Sequence, residues 1–357
     1  MANIPSLLVR LKLALVSSVI ALVAASPARA QLAFTFNYSA DIDPRALAGF
    51  ELAASRWSYI FNDPIDVQIN IGFQTLGTGI LGSTSTTRGT LSYSTYKAAL
   101  TADATSNNDH LAVSSLQSGS AFDMLLNRTS NSPFGSGSAT PYLDNDRDAN
   151  NTAIRLTLAN ARALGLYQAT GGLTDAAITF SSAYNFDFDP YDGIDSNAID
   201  FVGVATHEIG HALGFVSGVD TLDMLATPTT DDALRYVSPL DLFRYSTTSY
   251  LLNAIDWTAD NRAKYFSIDG GQTALGLFST GVTNGDGRQA SHWKDNLGMG
   301  IMDPTTGRGE LDVIRPLDIT ALDVIGYNVA IPEPATYGIF GALLLMIVSL
   351  MHRRMKR

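Results

Sequence analysis

The sequence predicts an α+β fold, and three stretches carry that prediction. Pro44 to Phe61 places apolar residues at helical spacing, and Val67 to Gln74 alternates apolar and polar residues as a half-buried strand does. Asn197 to Leu213 is apolar around most of a helical circumference, the pattern of a buried helix. The body between the two chain ends, residues 31–330, is long enough for one large domain or two closely packed subdomains. No internal repeat is evident.

Each element has its own start and stop. Asp43 is a cap-type residue and Pro44 suits the first helical position, so the first helix begins there. Leu47, Phe50, Trp57, Ile60 and Phe61 form its apolar stripe, and Asn62-Asp63-Pro64 ends it. Val67, Ile69, Ile71 and Phe73 then face one side of a strand. Residues 76–92, rich in Gly, Ser and Thr, read as a loop or a weak edge. The spacing predicts a second helix over 152–164, with Ile154, Leu158, Ala161 and Leu164 inward and Gly165 as its end. Ala177 to Ser182 reads as a strand, and the 197–213 helix follows, with Ser196 and Asn197 as caps and Gly214 as its stop. Residues 215–291 hold Tyr236, Leu240, Leu242 and Phe243, which predict packed structure rather than a linker. Asp295, Asn296, Gly298 and Gly300 predict a turn before Met302, and a last helix runs from Pro316 to Ile325 with Gly326 behind it.

The chemistry is written in HEIGHALGF, His207 to Phe215. On a helix, residues four apart share a face, so His207 and His211 can reach one metal ion, with Glu208 beside it as a general base. A core helix with two hydrogen-bonded histidines is the plain alternative, but buried His, Glu and His each need a partner. A catalytic zinc takes three protein ligands and keeps one position open for water. Ser217 stands where a third histidine would follow at close spacing, and the chain has only five histidines. His110 follows a polar stretch that reads as an exposed loop, and His352 lies among terminal basic residues, which leaves His292 in ASHWKDNLGMGIMDP. Asp220, nine residues past His211, is the competing third ligand, and a structural histidine beside Trp293 is the alternative role for His292. Tyr236 and Tyr327 are candidate donors to an oxyanion, with nothing in the sequence to choose between them.

Charge and composition narrow the setting. Of 23 basic residues seven lie in the two chain ends, and of 34 acidic residues only Glu333 does, so the body carries a formal charge near −17. That excludes nucleic acid as a partner and suits an exported protein, including one that binds calcium. There is no cysteine, hence no disulfide. Asp144, Asp146 and Asp148 alternate, but Ala149 and Arg155 stand where an EF-hand needs Gly and Glu, so this is no EF-hand; it reads as a solvated turn leading into the 152–164 helix, with a metal loop as the alternative. Asp187, Asp189 and Asp192, with Gly193, are compatible with a structural calcium site and equally with an ordinary acidic loop. Asn127-Arg128-Thr129 matches a glycosylation sequon without further support.

Both ends read as targeting segments. Residues 1–30 have Arg10 and Lys12, an apolar run from Leu13 to Ala25, and Ala28-Arg29-Ala30, the form of a signal peptide removed by signal peptidase before Gln31. At residues 331–357, Pro332-Glu333-Pro334 precedes an apolar span, Ala335 to Met351, and then Arg353, Arg354, Lys356 and Arg357, which would stay cytoplasmic. This tail resembles the PEP-CTERM sorting signal of Gram-negative bacteria, processed by an exosortase; a simple single-span anchor is the alternative. The resemblance implies an exported protein, transiently held in the inner membrane and then surface-bound or extracellular, in reach of an exopolysaccharide matrix.

HEIGHALGF, the distant SHW at 291–293 and the methionine in a short turn resemble the metzincin clan, and within it the leishmanolysin type, where the third histidine is displaced downstream. Leishmanolysins are rich in disulfides and this chain has none, so the likeness covers the active-site skeleton alone. It implies a two-subdomain zinc peptidase with a twisted mixed sheet. His207, His211 and His292 would be ligands, Glu208 the base, Gly214 the turn residue and Met302 the Met-turn. The zinc helix then spans 197–214, an insertion 215–291, and the third ligand with the Met-turn 292–304. In that clan the strand before the zinc helix borders the cleft and pairs with the substrate backbone, a role falling here near 176–186. The tail together with HEIGHALGF also resembles a family of PEP-CTERM metalloproteases, in which segments like SPLDLFRYS, FSIDGG and ASHWKD recur; here they stand at 238–246, 266–271 and 290–295. The expected activity is zinc-dependent endopeptidase action on protein or peptide substrates. The alternatives are a non-catalytic matrix protein with a structural zinc, and a polysaccharide-binding module.

Overall fold

The structure is a computed structural model and describes residues 31–168 and 173–330. The expected signal peptide at 1–30 and sorting tail at 331–357 lie outside the described residues. Among the described residues no helix is long and apolar enough to cross a membrane. The chain runs β1 (Ala33–Asn37), α1 (Pro44–Ile60), β2 (Asp66–Gln74), β3 (Gly82–Thr86), β4 (Arg88–Ser92), α2 (Tyr93–Asp103) and α3 (Asn107–Ser115). It continues with β5 (Met124–Leu126), β6 (Tyr142–Asp144), β7 (Ala153–Thr157), α4 (Leu158–Ala163), β8 (Ala176–Ser181), β9 (Phe186–Asp187) and β10 (Ile199–Asp200). Then come α5 (Phe201–Leu213), α6 (Val219–Asp223), β11 (Arg244–Tyr245), α7 (Thr247–Leu251), β12 (Ile255–Asp256), β13 (Lys264–Phe266), β14 (Gly276–Phe278) and α8 (Pro316–Asp323). The class is α+β.

The main sheet has the order β1-β2-β8-β3, with β1, β2 and β8 parallel and β3 antiparallel on the edge. Helices α1 and α5 pack together against it. Phe50 of α1, Phe180 of β8 and Phe201 of α5 meet with ring centroids 4.5 to 5.2 Å apart. Trp57 Nε1 donates to Thr206 O at 2.9 Å, which fixes the two helices in register. The first helix begins as expected: Asp43 accepts from Arg45 N and Pro44 opens the first turn.

Several expectations change. Residues 153–157 are not the first turns of a helix but strand β7, paired antiparallel with β4; Thr157 then caps the short α4. Ile154, Leu158, Ala161 and Leu164 mimic helical spacing, yet the partner strand β4 lies in a stretch too polar to read as a strand. The 76–92 segment, expected as a loop or a weak edge, supplies two strands, and its β3 does form the edge of the main sheet. The 197–213 helix starts at Phe201, because Ile199 and Asp200 first pair with Phe186 and Asp187. Its cap is therefore Asp200, accepting from Gly203 N at 2.8 Å, and not Ser196 or Asn197. Finally, β8 lies inside the sheet between β2 and β3, so residues near 176–186 do not border the cleft; β3 does. The last helix ends at Asp323, slightly short of the expected Ile325.

A buried acidic group ties the first and last parts of the chain together. Asp63 accepts from Asn328 N at 3.1 Å, Asn328 Nδ2 also donates to Asp103, and Asp323 accepts from Ser106 Oγ at 2.8 Å. Burial pushes the Asp63 and Asp323 carboxyls up to about 7, with Asp103 and Asp109 adding like charge. A carboxyl whose folded pKa is raised contributes stability that is full below its unfolded value, about 3.9. That stability is lost as pH rises through about 7. We expect urea unfolding of the metal-loaded protein to show greater stability at pH 5.5 than at pH 8. Asp323→Asn should flatten that slope, and an unchanged slope in the variant would rule the group out as its source.

Candidate metal centre

Helix α5 is apolar enough to be buried, which brings its few polar residues into a protected wall. His207 and His211 fall one turn apart, and Gly214 ends the helix at φ 130°, a backbone region L side chains rarely adopt. The chain then turns so that Phe215 O meets His211 Nδ1 at 2.6 Å. His292 arrives from the far side of the insertion. Its segment is held by Ser279 N donating to His292 O at 3.0 Å and Ser279 Oγ donating to Trp293 O at 2.8 Å.

The three Nε2 atoms converge at 3.1 to 3.2 Å from one another. Each ring's Nδ1 faces a backbone carbonyl: Ile301 O for His207, Phe215 O for His211 and Gln289 O for His292, at 2.7, 2.6 and 3.3 Å. A carbonyl can only accept, so each Nδ1 carries the proton and each Nε2 presents its lone pair. Burial keeps the rings neutral, pulling His207 down to about 4 and His211 to about 3, and His292 well below its usual value. Three inward lone pairs repel unless a cation lies between them. Four-coordinate zinc with nitrogen ligands at about 2.05 Å needs them roughly 3.3 Å apart, so the donor set fits such an ion. Among the described residues this is the one group of three or more His, Cys, Asp or Glu side chains with ligand atoms gathered closely enough for a metal.

Glu208 lies beside this centre, 5% exposed. Burial pushes its carboxyl up to about 7, against a hydrogen bond from Thr84. Thr84 Oγ1, on edge strand β3, donates to Glu208 Oε2 at 2.6 Å. A Cβ at Gly82 would stand 2.7 Å from Oε1, so the strand can pass this close only with glycine there. Met302 is fully buried beneath α5, where a Cβ at Gly210 would meet its Sδ at 2.5 Å. The centre opens into a cleft of about 700 Å³ walled by β3, α5, α6 and residues 287–306.

Other expected residues take different places. Asp220 is not a third ligand: its Oδ1 accepts from Ala290 N at 2.6 Å, so it positions the segment that carries His292. Tyr327 cannot serve an oxyanion, being buried and donating to Leu213 O at 2.7 Å. Tyr236 lies under the Arg155 guanidinium and outside the cleft wall. His110 is exposed, on helix α3 rather than a loop. Asp187, Asp189 and Asp192 do not gather as a calcium site. Asp187 spends both oxygens on Asp189 N and Asp195 N, and Asp189 accepts from Tyr191 N, which makes an acidic turn.

Three residues that support the centre escaped the sequence reading. Asp318 accepts from Trp293 Nε1, Ile301 N, Met302 N and Arg315 N. It thereby joins the His292 segment, the Met302 turn and the start of α8. Asp241, in SPLDLFRYS, accepts from Ser217 Oγ, Gly218 N and Trp257 Nε1, fixing the turn that follows α5. Arg244, from the same segment, is buried and donates to Ser279 O and Ala290 O on either side of His292. Their residue types were visible; their partners lie across the insertion and were not.

Comparison with protein-family models, curated proteins and solved structures finds no match to this chain. Its function is therefore argued from the site.

Proposed function

We propose that this chain is an exported, zinc-dependent endopeptidase of the metzincin type. The observation that carries the reading is the convergence of three neutral imidazole nitrogens beside a buried Glu208, inside an open cleft. His207, His211 and His292 would hold the ion and leave a coordination position free, as catalytic zinc requires. Zinc, when bound, lowers the pKa of water from about 15.7 toward about 7 and stabilises charge on a polarised carbonyl.

The chain's residues do the rest. Thr84 holds Glu208 Oε2, which leaves Oε1 to take the proton from the attacking water and pass it to the departing amine. The carbonyls of Ile301, Phe215 and Gln289 fix each ring's tautomer and direction. Met302 supports the helix under the histidines, the place a Met-turn would take. Edge strand β3 presents unpaired backbone groups to the cleft, suited to an extended peptide. The signal-peptide and PEP-CTERM patterns of the two ends support export, transient anchoring and release to the cell surface.

The alternative is a non-catalytic matrix or polysaccharide-associated protein with a structural zinc. Structural zinc sites close all four positions with protein ligands, whereas three side chains gather here. Cleavage of a mixed peptide library by the full chain, abolished by a chelator and restored by zinc, is the expected result. A folded, zinc-loaded chain that cleaves nothing would move the reading to the structural role.

A further inference from the structure

Two cations line the cleft, Arg88 and Arg288. Arg288 is neutralised, with its Nε 2.9 Å from Asp295 Oδ2. Arg88 is not. Its Nε donates to Thr86 Oγ1 at 2.7 Å, which aims the guanidinium, and among the described residues no carboxylate pairs with it. Asp220 on the facing wall acts on Arg88 through its charge alone, its Oδ1 being held by Ala290 N.

A second guanidinium lies beside that of Arg88, outside the cleft wall. In the β4–β7 ladder Arg88 lies opposite Thr157, and Thr90 opposite Arg155, so the two arginines are diagonal neighbours on one face. Arg155 also forms no ion pair among the described residues and rests over the Tyr236 ring at 5.0 Å. Like charges placed this way repel, and an anion between substrate and wall relieves them. Arg88 and His211 line the same cleft, so this corner adjoins the metal centre.

The opposite end of the cleft holds carboxyls whose charged form burial disfavours. Asp303 and Asp312 line it near the start of α5, where a Cβ at Gly203 would stand 2.7 Å from Asp312 Cβ.

We infer that Arg88 makes the His211 end of the cleft a subsite for a substrate carboxylate, so that peptides with an acidic group on that side of the scissile bond are preferred. The inference rests on the peptidase reading above and names the substrate class of that same site. The carboxylate can come from an Asp or Glu side chain or from a peptide's free C-terminus. Charge-assisted pairing to a planar guanidinium supplies the selectivity.

The test uses the full chain and peptide sets that differ only by Glu or Gln at one position, each with a free or an amidated C-terminus. The readout is the ratio of kcat/KM for Glu over Gln, and for free over amidated ends. At one position, or at the free terminus, wild type should show a ratio of about tenfold or more. Arg88→Gln should bring that ratio to near one, and Arg88→Glu should invert it toward a Lys-bearing peptide. A wild-type ratio near one everywhere, or a preference unchanged in both variants, overturns the subsite while leaving the peptidase reading in place. Binding of the same peptides to Glu208→Gln protein, measured by calorimetry, gives a readout without turnover. If no peptide is cleaved at all, tighter binding of the carboxylate form that Arg88→Gln abolishes still supports the subsite. Equal binding of both forms overturns it.

Discussion

Glu208→Gln is expected to reduce peptide cleavage by about 10² to 10⁴-fold, the usual contribution of a positioned general base. The metal content of the variant should stay at the wild-type level. Glutamine keeps the length and the oxygen that accepts from Thr84 Oγ1, so the β3 strand and its Gly82 need not move. What disappears is a carboxylate able to take a proton, poised by burial near neutrality. His207 and His211 leave the same helix on the metal side, and their Nδ1 bonds to Ile301 O and Phe215 O do not involve Glu208. The check is kcat/KM on one cleaved peptide beside zinc content by elemental analysis. Retained cleavage would remove Glu208 from the chemistry. Cleavage and zinc lost together would make it a structural part of the centre.

How much of this could be read beforehand follows a physical line. Local signals survived: the Asp43-Pro44 start, the alternation in β2, the i,i+4 histidines and the glycine stop at Gly214 all depend on near neighbours. His292 was found by elimination among five histidines, and its Nε2 does meet the other two. Features that depend on distant pairing were lost. Strand β7 reads as a helix until β4 is known to lie beside it, and β3 is too rich in Ser and Thr to announce itself. The cap of α5 moved to Asp200 because a two-residue bridge to Phe186 and Asp187 took the preceding residues. Arg88 was passed over for the same reason. Nothing near it in sequence shows that Thr86 would aim it into the cleft, or that Arg155 would stand diagonal to it.

Asp318→Ala is expected to cost about 3 kcal/mol or more and to weaken zinc binding about 10- to 100-fold. One buried carboxylate accepts four hydrogen bonds there, three from backbone N–H groups and one from the Trp293 indole. Alanine leaves those donors in a dry interior, and each unpaired donor costs about 1–3 kcal/mol. The damage reaches the metal by two routes. Ile301 donates its N–H to Asp318 while its carbonyl holds His207 Nδ1, so a shift of this peptide turns the His207 ring. Trp293 follows His292 directly and stacks on Phe278 at 5.0 Å, so release of its indole loosens the segment that carries the third ligand. Asp318→Asn keeps the volume but turns one oxygen into a donor facing N–H groups, and it should show a smaller loss in the same direction. The measurement is zinc affinity by chelator competition at a temperature where each variant is fully folded, beside its thermal midpoint. Lower midpoints with unchanged zinc affinity would confine Asp318 to holding the fold. A loss of both would place it among the residues that aim His207 and His292 at one point.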